Sequence, residues 1–227
     1  DSYYEQEGVS SSAPYIRYRR GGSLVELTIK EKTNKDDNII RKEINIDVRR
    51  NSHIEIVDFL ESIGFQKSFK KLHVLKHEKI LILGSGGVAK SILVGLKNLK
   101  FKNIYICSRN FRNTKKLALK FNVNFIKWDD REDSVFDILI NATPIGMKPY
   151  TRSMPVSKNF IKSLQCVFDV IVNPKETKLI KTAKDLKIKN QSGYLMALNQ
   201  GAEQFKLYTS KNPPIDKMKK ALNKNLM

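Results

Sequence analysis

At 227 residues with 41% apolar side chains, the chain suits one large domain or two small ones and carries enough apolar material to bury a core. Its apolar runs end after about five residues, far short of a membrane span, and its opening stretch is polar with Ser and Tyr rather than a signal core, so a cytoplasmic setting without membrane contact is expected. The net charge of +19 sits in the second part, since residues 1–78 hold 14 basic and 13 acidic side chains and residues 79–227 hold 28 and 10; the lysines are scattered singly (Lys97, Lys100, Lys115, Lys120, Lys184, Lys187) without stacking aromatics between them, which reads as a solvated basic surface with modest attraction for phosphorylated ligands and argues against a nucleic-acid partner.

Residues 1–75 follow a period of two. Tyr15 to Arg19 and Leu24 to Lys30 alternate across Gly21-Gly22 as a hairpin would, and Arg41 to Val48 alternates again, so this part is expected to be an antiparallel β segment. A short amphipathic helix over Ile54 to Ile63 is predicted to stop at Gly64. The period changes between Phe65 and Lys79, and the domain boundary is placed at residue 75/76. From Lys79 short apolar strands alternate with helical stretches: strands at Lys79–Leu83, Asn103–Cys107, Asn122–Lys127, Phe136–Ile140 and Cys166–Val172, and helices at about Val88–Leu99, Asn113–Phe121, Ser157–Ser163 and Glu176–Leu186. Two closing helices are expected at Tyr194–Tyr208 and Ile215–Asn225. The pattern predicts an α/β fold, a Rossmann-like doubly wound parallel sheet covered on both faces, preceded by a small, partial antiparallel β segment with one helix. Cys107 and Cys166 fall inside apolar strands and suit buried hydrophobes better than a disulfide or metal pair, and no metal site is expected.

Strand Lys79–Leu83 runs directly into Gly84-Ser85-Gly86-Gly87-Val88-Ala89, a G-x-G-x-x-A turn that opens a helix. Gly84 permits the tight turn, Gly86 lets backbone approach a diphosphate, and Ala89 is small enough for helix and strand to pack closely. The helix start then offers free N–H groups and a positive dipole end to phosphate. The next strand ends Cys107-Ser108-Arg109-Asn110, with Arg112 just beyond, where an NAD site would usually carry Asp or Glu for the ribose hydroxyl. A guanidinium there forks onto a 2′-phosphate, so the expected cofactor is NADP.

Two further motifs, Asn141-Ala142-Thr143-Pro144-Ile145-Gly146-Met147 and Gly193-Tyr194-Leu195-Met196-Ala197-Leu198-Asn199-Gln200-Gly201, join the glycine loop, Ser108-Arg109-Asn110 and Asp169-Val170-Ile171-Val172-Asn173-Pro174 in the order and spacing of one family. Residues 79–227 resemble the NADP-binding domain of shikimate dehydrogenase. The resemblance implies that Gly84 to Ala89, Ser108, Arg109, Asn110 and Arg112 bind NADP, that Asn141, Ala142, Thr143, Met147, Val170 and Gly193 lie along its ribose and nicotinamide side, and that Gln200 hydrogen-bonds a substrate hydroxyl. The implied reaction is metal-free hydride transfer between 3-dehydroshikimate and shikimate. Val172 stands where the family usually has Tyr, and Asn113 stands where it has a second arginine. The family's substrate domain, with the lysine and aspartate that assist proton transfer, is missing from residues 1–78, so no catalytic residue is assigned. Whether a homo-oligomer or a partner chain supplies that pair is left open.

Residues 1–75 resemble instead part of a CYTH domain, the triphosphate-tunnel fold of class IV adenylate cyclases, through Tyr15-Ile16-Arg17-Tyr18-Arg19-Arg20, Leu27-Thr28-Ile29-Lys30 and Arg41-Lys42-Glu43. That resemblance implies Arg17, Arg19, Lys30 and Arg41 as phosphate ligands and Glu43 as a metal ligand. Its first and last strands are absent. The alternatives to a dehydrogenase are therefore a metal-dependent triphosphatase or cyclase, and a non-catalytic NADP-binding module.

Overall fold

A computed structural model describes residues 64–224, together with the backbone of three strands before them. The chain divides into two units, Asp1–Val57 and Asp58–Met227. In the first, β1 (Tyr15–Gly21), β2 (Leu24–Lys35) and β3 (Asn38–Arg49) form an antiparallel meander in which Gly21 pairs with Leu24 and Lys35 with Asn38. The expected antiparallel pairing is present, over longer strands than predicted. The expected helix at 54–63 lies outside the described residues, as do the side chains of Arg17, Arg19, Lys30, Arg41 and Glu43.

The second unit is a three-layer α/β domain. Helix α1 (64–70) precedes β4 (Ile80–Leu83), α2 (Gly87–Asn98), β5 (Ile104–Cys107), α3 (Phe111–Phe121), the two-residue β6 (Asn124–Phe125) and a single 3₁₀ turn at Asp129–Glu132. Then follow β7 (Ile138–Asn141), α4 (Lys158–Lys162), β8 (Cys166–Asp169), α5 (Lys178–Asp185), β9 (Lys189–Ser192), α6 (Gly193–Thr209) and α7 (Ile215–Lys224). Every strand pair is parallel, in the order β6-β5-β4-β7-β8-β9. Numbered within the domain this is 3-2-1-4-5-6, the doubly wound order whose direction reverses between β4 and β7, and ligands of such sheets lie outside the carboxyl ends of the strands at that reversal.

The sheet is buried on both faces, which is why its inner strands are continuous apolar runs. On one face Ile80, Ile82, Ile104, Ile106, Ile138, Ile140 and Phe168 pack with Ala89, Ile92, Leu93 and Leu96 of α2 and with Phe65 and Phe69. On the other, Leu81, Leu83, Leu139 and Val167 pack with Phe160, Ile161, Leu179, Ile180 and Ala183. Phe65 and Phe69 stack at 5.0 Å between centroids, and Phe65 meets Phe168 at 5.1 Å.

Several sequence expectations are corrected. Residues 64–70 are helical, so Gly64 does not end a helix, and Phe65, Phe69, Leu72 and Val74, expected in the β segment, pack in the α/β core. The strand expected over Asn122–Lys127 shrinks to two residues because Asn122 is the left-handed C-cap of α3, with φ 49°. The strand expected to reach Val172 ends at Asp169, whose side chain accepts from the Ile171 amide and turns the chain. Strand β9 had no counterpart in the sequence reading. Among the described residues no helix is long and apolar enough to cross a membrane.

Candidate functional site

The carboxyl ends of β5, β4, β7 and β8 carry four of the five sequence motifs, and Gly193, which opens the fifth, packs against Val170 at the end of β8. At the end of β4, Gly84 takes φ 113°, a left-handed backbone that side chains resist. A Cβ there would lie 2.6 Å from the Ala142 carbonyl oxygen, so the glycine lets the loop after β4 pass directly beside the loop after β7. Gly86 is the N-cap of α2 in extended conformation, and no side chain caps the helix. A Cβ on Gly86 or Gly87 would meet nothing within 4 Å, so the space above the helix start is open. The first turns of α2 and α3 both lack acidic residues. An uncapped helix start without nearby carboxylates attracts an anion through its free N–H groups and dipole. Ser85 and Val88 flank this opening and are half-buried, while Ala89 is fully buried beneath α2, the close-packing role expected of a small residue there.

Ser108, Arg109 and Asn110 follow β5. Arg109 and Arg112 are exposed, and neither makes an ion pair among the described residues. Asn110 caps α3, accepting from the Asn113 amide at 3.0 Å. Ser108 is nearly buried and its hydroxyl lies 2.9 Å from that of Ser85 and 2.7 Å from that of Thr114. The glycine loop and the arginine loop are thus joined through hydroxyls, a link the sequence reading did not anticipate.

The loop after β7 is built on a buried amide. Asn141 Oδ1 accepts from the Thr143 amide at 3.1 Å and the Thr143 hydroxyl at 2.7 Å, while its Nδ2 donates to Asp169 Oδ1 at 3.1 Å and to the Ile145 carbonyl at 3.2 Å. Asn141 therefore shapes the loop that carries half-buried Ala142 and Thr143 and exposed Met147. Asp169 also accepts from the Thr177 hydroxyl at 2.6 Å, and Thr177 caps α5. Burial pushes the Asp169 carboxyl up to about 6 against these donors, which pull it back. Asp169 opens the motif that runs to Pro174, and Thr177 lies three residues beyond it; the supporting role of both shows only once burial is known.

Val170 and Gly193 meet at the end of β8. A Cβ on Gly193 would lie 2.1 Å from the Val170 carbonyl oxygen, so α6 can start there only without a side chain. Gln200 lies two turns into α6, with Gly64 packed against its backbone: a Cβ on Gly64 would lie 3.0 Å from Gln200 Cα. Asn199 beside it donates to Ser68 Oγ at 2.8 Å, and Glu203 pairs with Lys67, so α6 is held along α1. The Cys107 and Cys166 thiols are pushed up to about 12, chiefly by burial, and are inert side chains of the core. Among the described residues no group of three or more His, Cys, Asp or Glu is placed to hold a metal ion.

The model of the shikimate / quinate 5-dehydrogenase family matches residues 66–190, and that of the shikimate 5′-dehydrogenase C-terminal domain matches residues 193–222. A shikimate dehydrogenase (NADP(+)) of Methanosphaera stadtmanae is 35% identical over 177 residues, covering 73% of this chain and 62% of that protein. One from Clostridium perfringens is 36% identical over 147 residues, covering 64% and 54%. A solved shikimate 5-dehydrogenase-like protein superposes with a TM-score of 0.68 at 32% identity over 73% of this chain and 61% of its own. A shikimate dehydrogenase solved in complex with NADP+ does so with a TM-score of 0.64 at 33% identity, over 74% and 62%. The chain spans about half to three fifths of the length of these relatives.

Proposed function

Because the chain belongs to the shikimate / quinate dehydrogenase family, we propose that residues 64–224 bind NADP(H) and that the protein reduces 3-dehydroshikimate to shikimate. The observation that carries this reading is the open, uncapped start of α2 at the reversal point of the sheet, one strand away from an exposed Arg109. The site fits the cofactor in shape and charge. Gly86 and Gly87 leave room for a diphosphate over the helix N–H groups, Arg109 is free to fork onto a 2′-phosphate, and no carboxylate in either first turn repels it.

NADPH supplies the hydride when bound; the rest of the work falls to the protein's own groups. The Asn141–Thr143 loop and the Val170–Gly193 contact form the wall toward which the nicotinamide end would extend. The Gln200 amide donates and accepts at once, which a polyol substrate requires. The family's proton-transfer lysine and aspartate have no assigned counterpart in residues 64–224, and positioned proton transfer contributes about 10²- to 10⁴-fold. These residues therefore account for cofactor binding more fully than for turnover.

Titration of the chain with NADPH and NADH, followed by nucleotide fluorescence, tests the reading. The wild type should prefer NADPH by about 10- to 100-fold, the range of one or two charge-assisted hydrogen bonds. Arg109→Ala should erase most of that preference by weakening NADPH alone. Equal affinity of the wild type for both nucleotides counts against the NADP assignment.

A further inference from the structure

The two loops assigned above to the cofactor are joined by a run of hydroxyls whose protons can point either way. Ser85 Oγ lies 2.9 Å from Ser108 Oγ, Ser108 Oγ lies 2.7 Å from Thr114 Oγ1, and the Asn110 carbonyl oxygen lies 3.1 Å from both the Ser108 and the Thr114 hydroxyls. Each hydroxyl carries one proton and two lone pairs. In one direction Ser85 donates to Ser108, Ser108 to Thr114 and Thr114 to the Asn110 carbonyl, and every proton is used inside the protein. In the other, Thr114 donates to Ser108 and Ser108 to Ser85, which leaves the Ser85 proton for an anion over the glycine loop. The Asn110 carbonyl keeps the Thr114 amide at 3.0 Å in both cases.

We propose that Ser108 is a positioning residue for the cofactor diphosphate, aiming the Ser85 hydroxyl at a phosphate oxygen through reversal of this hydroxyl chain. The inference rests on the NADP(H) reading of the site and adds a device to it. Hydrogen bonds aligned in one direction polarise the last O–H of the chain. An O–H donated to phosphate is charge-assisted and about twice as strong as a neutral one. Burial favours the device, because Thr114 is fully buried and Ser108 nearly so, whereas Ser85 at the end of the chain is only half-buried. Ser108 acts on the diphosphate shared by both nicotinamide nucleotides; its neighbour Arg109 acts on the 2′-phosphate of one.

That division sets the experiment. NADPH, NADH and adenosine 2′-monophosphate, which has no diphosphate, are titrated against the wild type, Ser85→Ala, Ser108→Ala and the double variant. Each single variant should weaken both dinucleotides by about tenfold and leave the monophosphate unchanged, and the double variant should bind no worse than the weaker single. Thr114→Val, which keeps side-chain volume, should weaken both dinucleotides in the same sense by a smaller factor, and stands in if Ser108→Ala does not fold. Wild-type dinucleotide affinity in Ser108→Ala or Thr114→Val, losses that multiply in the double variant, or a matching loss of the monophosphate overturns the inference while leaving the cofactor reading standing. A wild type that binds neither dinucleotide removes the cofactor reading itself, and this inference with it.

Discussion

Gly193→Ala is expected to lower the thermal midpoint by roughly 10 °C and to abolish measurable NADPH binding, whereas Gly86→Ala should leave the midpoint nearly unchanged and weaken nucleotide binding only. At Gly193 the added Cβ would lie 2.1 Å from the Val170 carbonyl oxygen, 2.3 Å from its carbon and 2.7 Å from the Ile171 carbonyl oxygen, all backbone atoms without a rotamer to yield. Overpacking of this kind costs about 3 kcal/mol or more, and in a domain of this size each kcal/mol moves the midpoint by roughly 2–4 °C. The displaced atoms belong to the loop after β8 and to the start of α6, so the damage falls on both sides of the nicotinamide wall. At Gly86 the added Cβ meets nothing within 4 Å, and the extended backbone there suits alanine. The only atoms it would displace are those of a ligand. Thermal unfolding with and without NADPH separates the two cases; equal loss of midpoint in both variants would contradict the contact at Gly193 and the open space at Gly86.

The difference between these glycines was partly legible in the sequence. The G-x-G-x-x-A turn could be read because its neighbours give it a context, a strand before and an amphipathic helix after, and the inner strands could be read because burial on both faces makes Ile80–Leu83 and residues 138–140 apolar throughout. Strand β9 could not. Its Lys189-Asn190-Gln191-Ser192 has no apolar residue, and it exists because the edge of β8 offers unpaired backbone groups for it to satisfy. Gly64 misled in the opposite direction: glycine suggests a helix end, but here α6 crosses so closely at Gln200 that only a glycine fits within the helix. In the site, the exposed residues Arg109 and Arg112 were legible by position along the chain. Thr114 and Asp169 were not, since what makes them matter is burial and partners distant in sequence.

Asp169 gives the second large effect, and it has a pH signature. Its carboxylate is fully buried, and the three groups that donate to it come from the end of β7, the loop after β8 and the cap of α5. Asp169→Ala leaves the Asn141 amide, the Ile171 N–H and the Thr177 hydroxyl with a lost acceptor, a destabilisation of about 3 kcal/mol or more, and it frees the Asn141 loop. Asp169→Asn keeps an acceptor for Asn141 and Ile171 and should cost about 1 kcal/mol below pH 4, where the wild-type carboxyl is uncharged too. The carboxyl is raised in the folded chain from 3.8 to about 6 because burial disfavours its charge. Below pH 4 both folded and unfolded forms are protonated and the group imposes no penalty; between about 4 and 6 only the folded form holds the proton, so stability falls as pH rises. Above that window the penalty is complete, at about 3 kcal/mol. The asparagine variant carries no such term. Its stability relative to wild type, measured by urea unfolding at pH 4.5 and pH 7.5, should therefore improve toward the higher pH, and a difference independent of pH would mean that Asp169 titrates as an ordinary carboxyl.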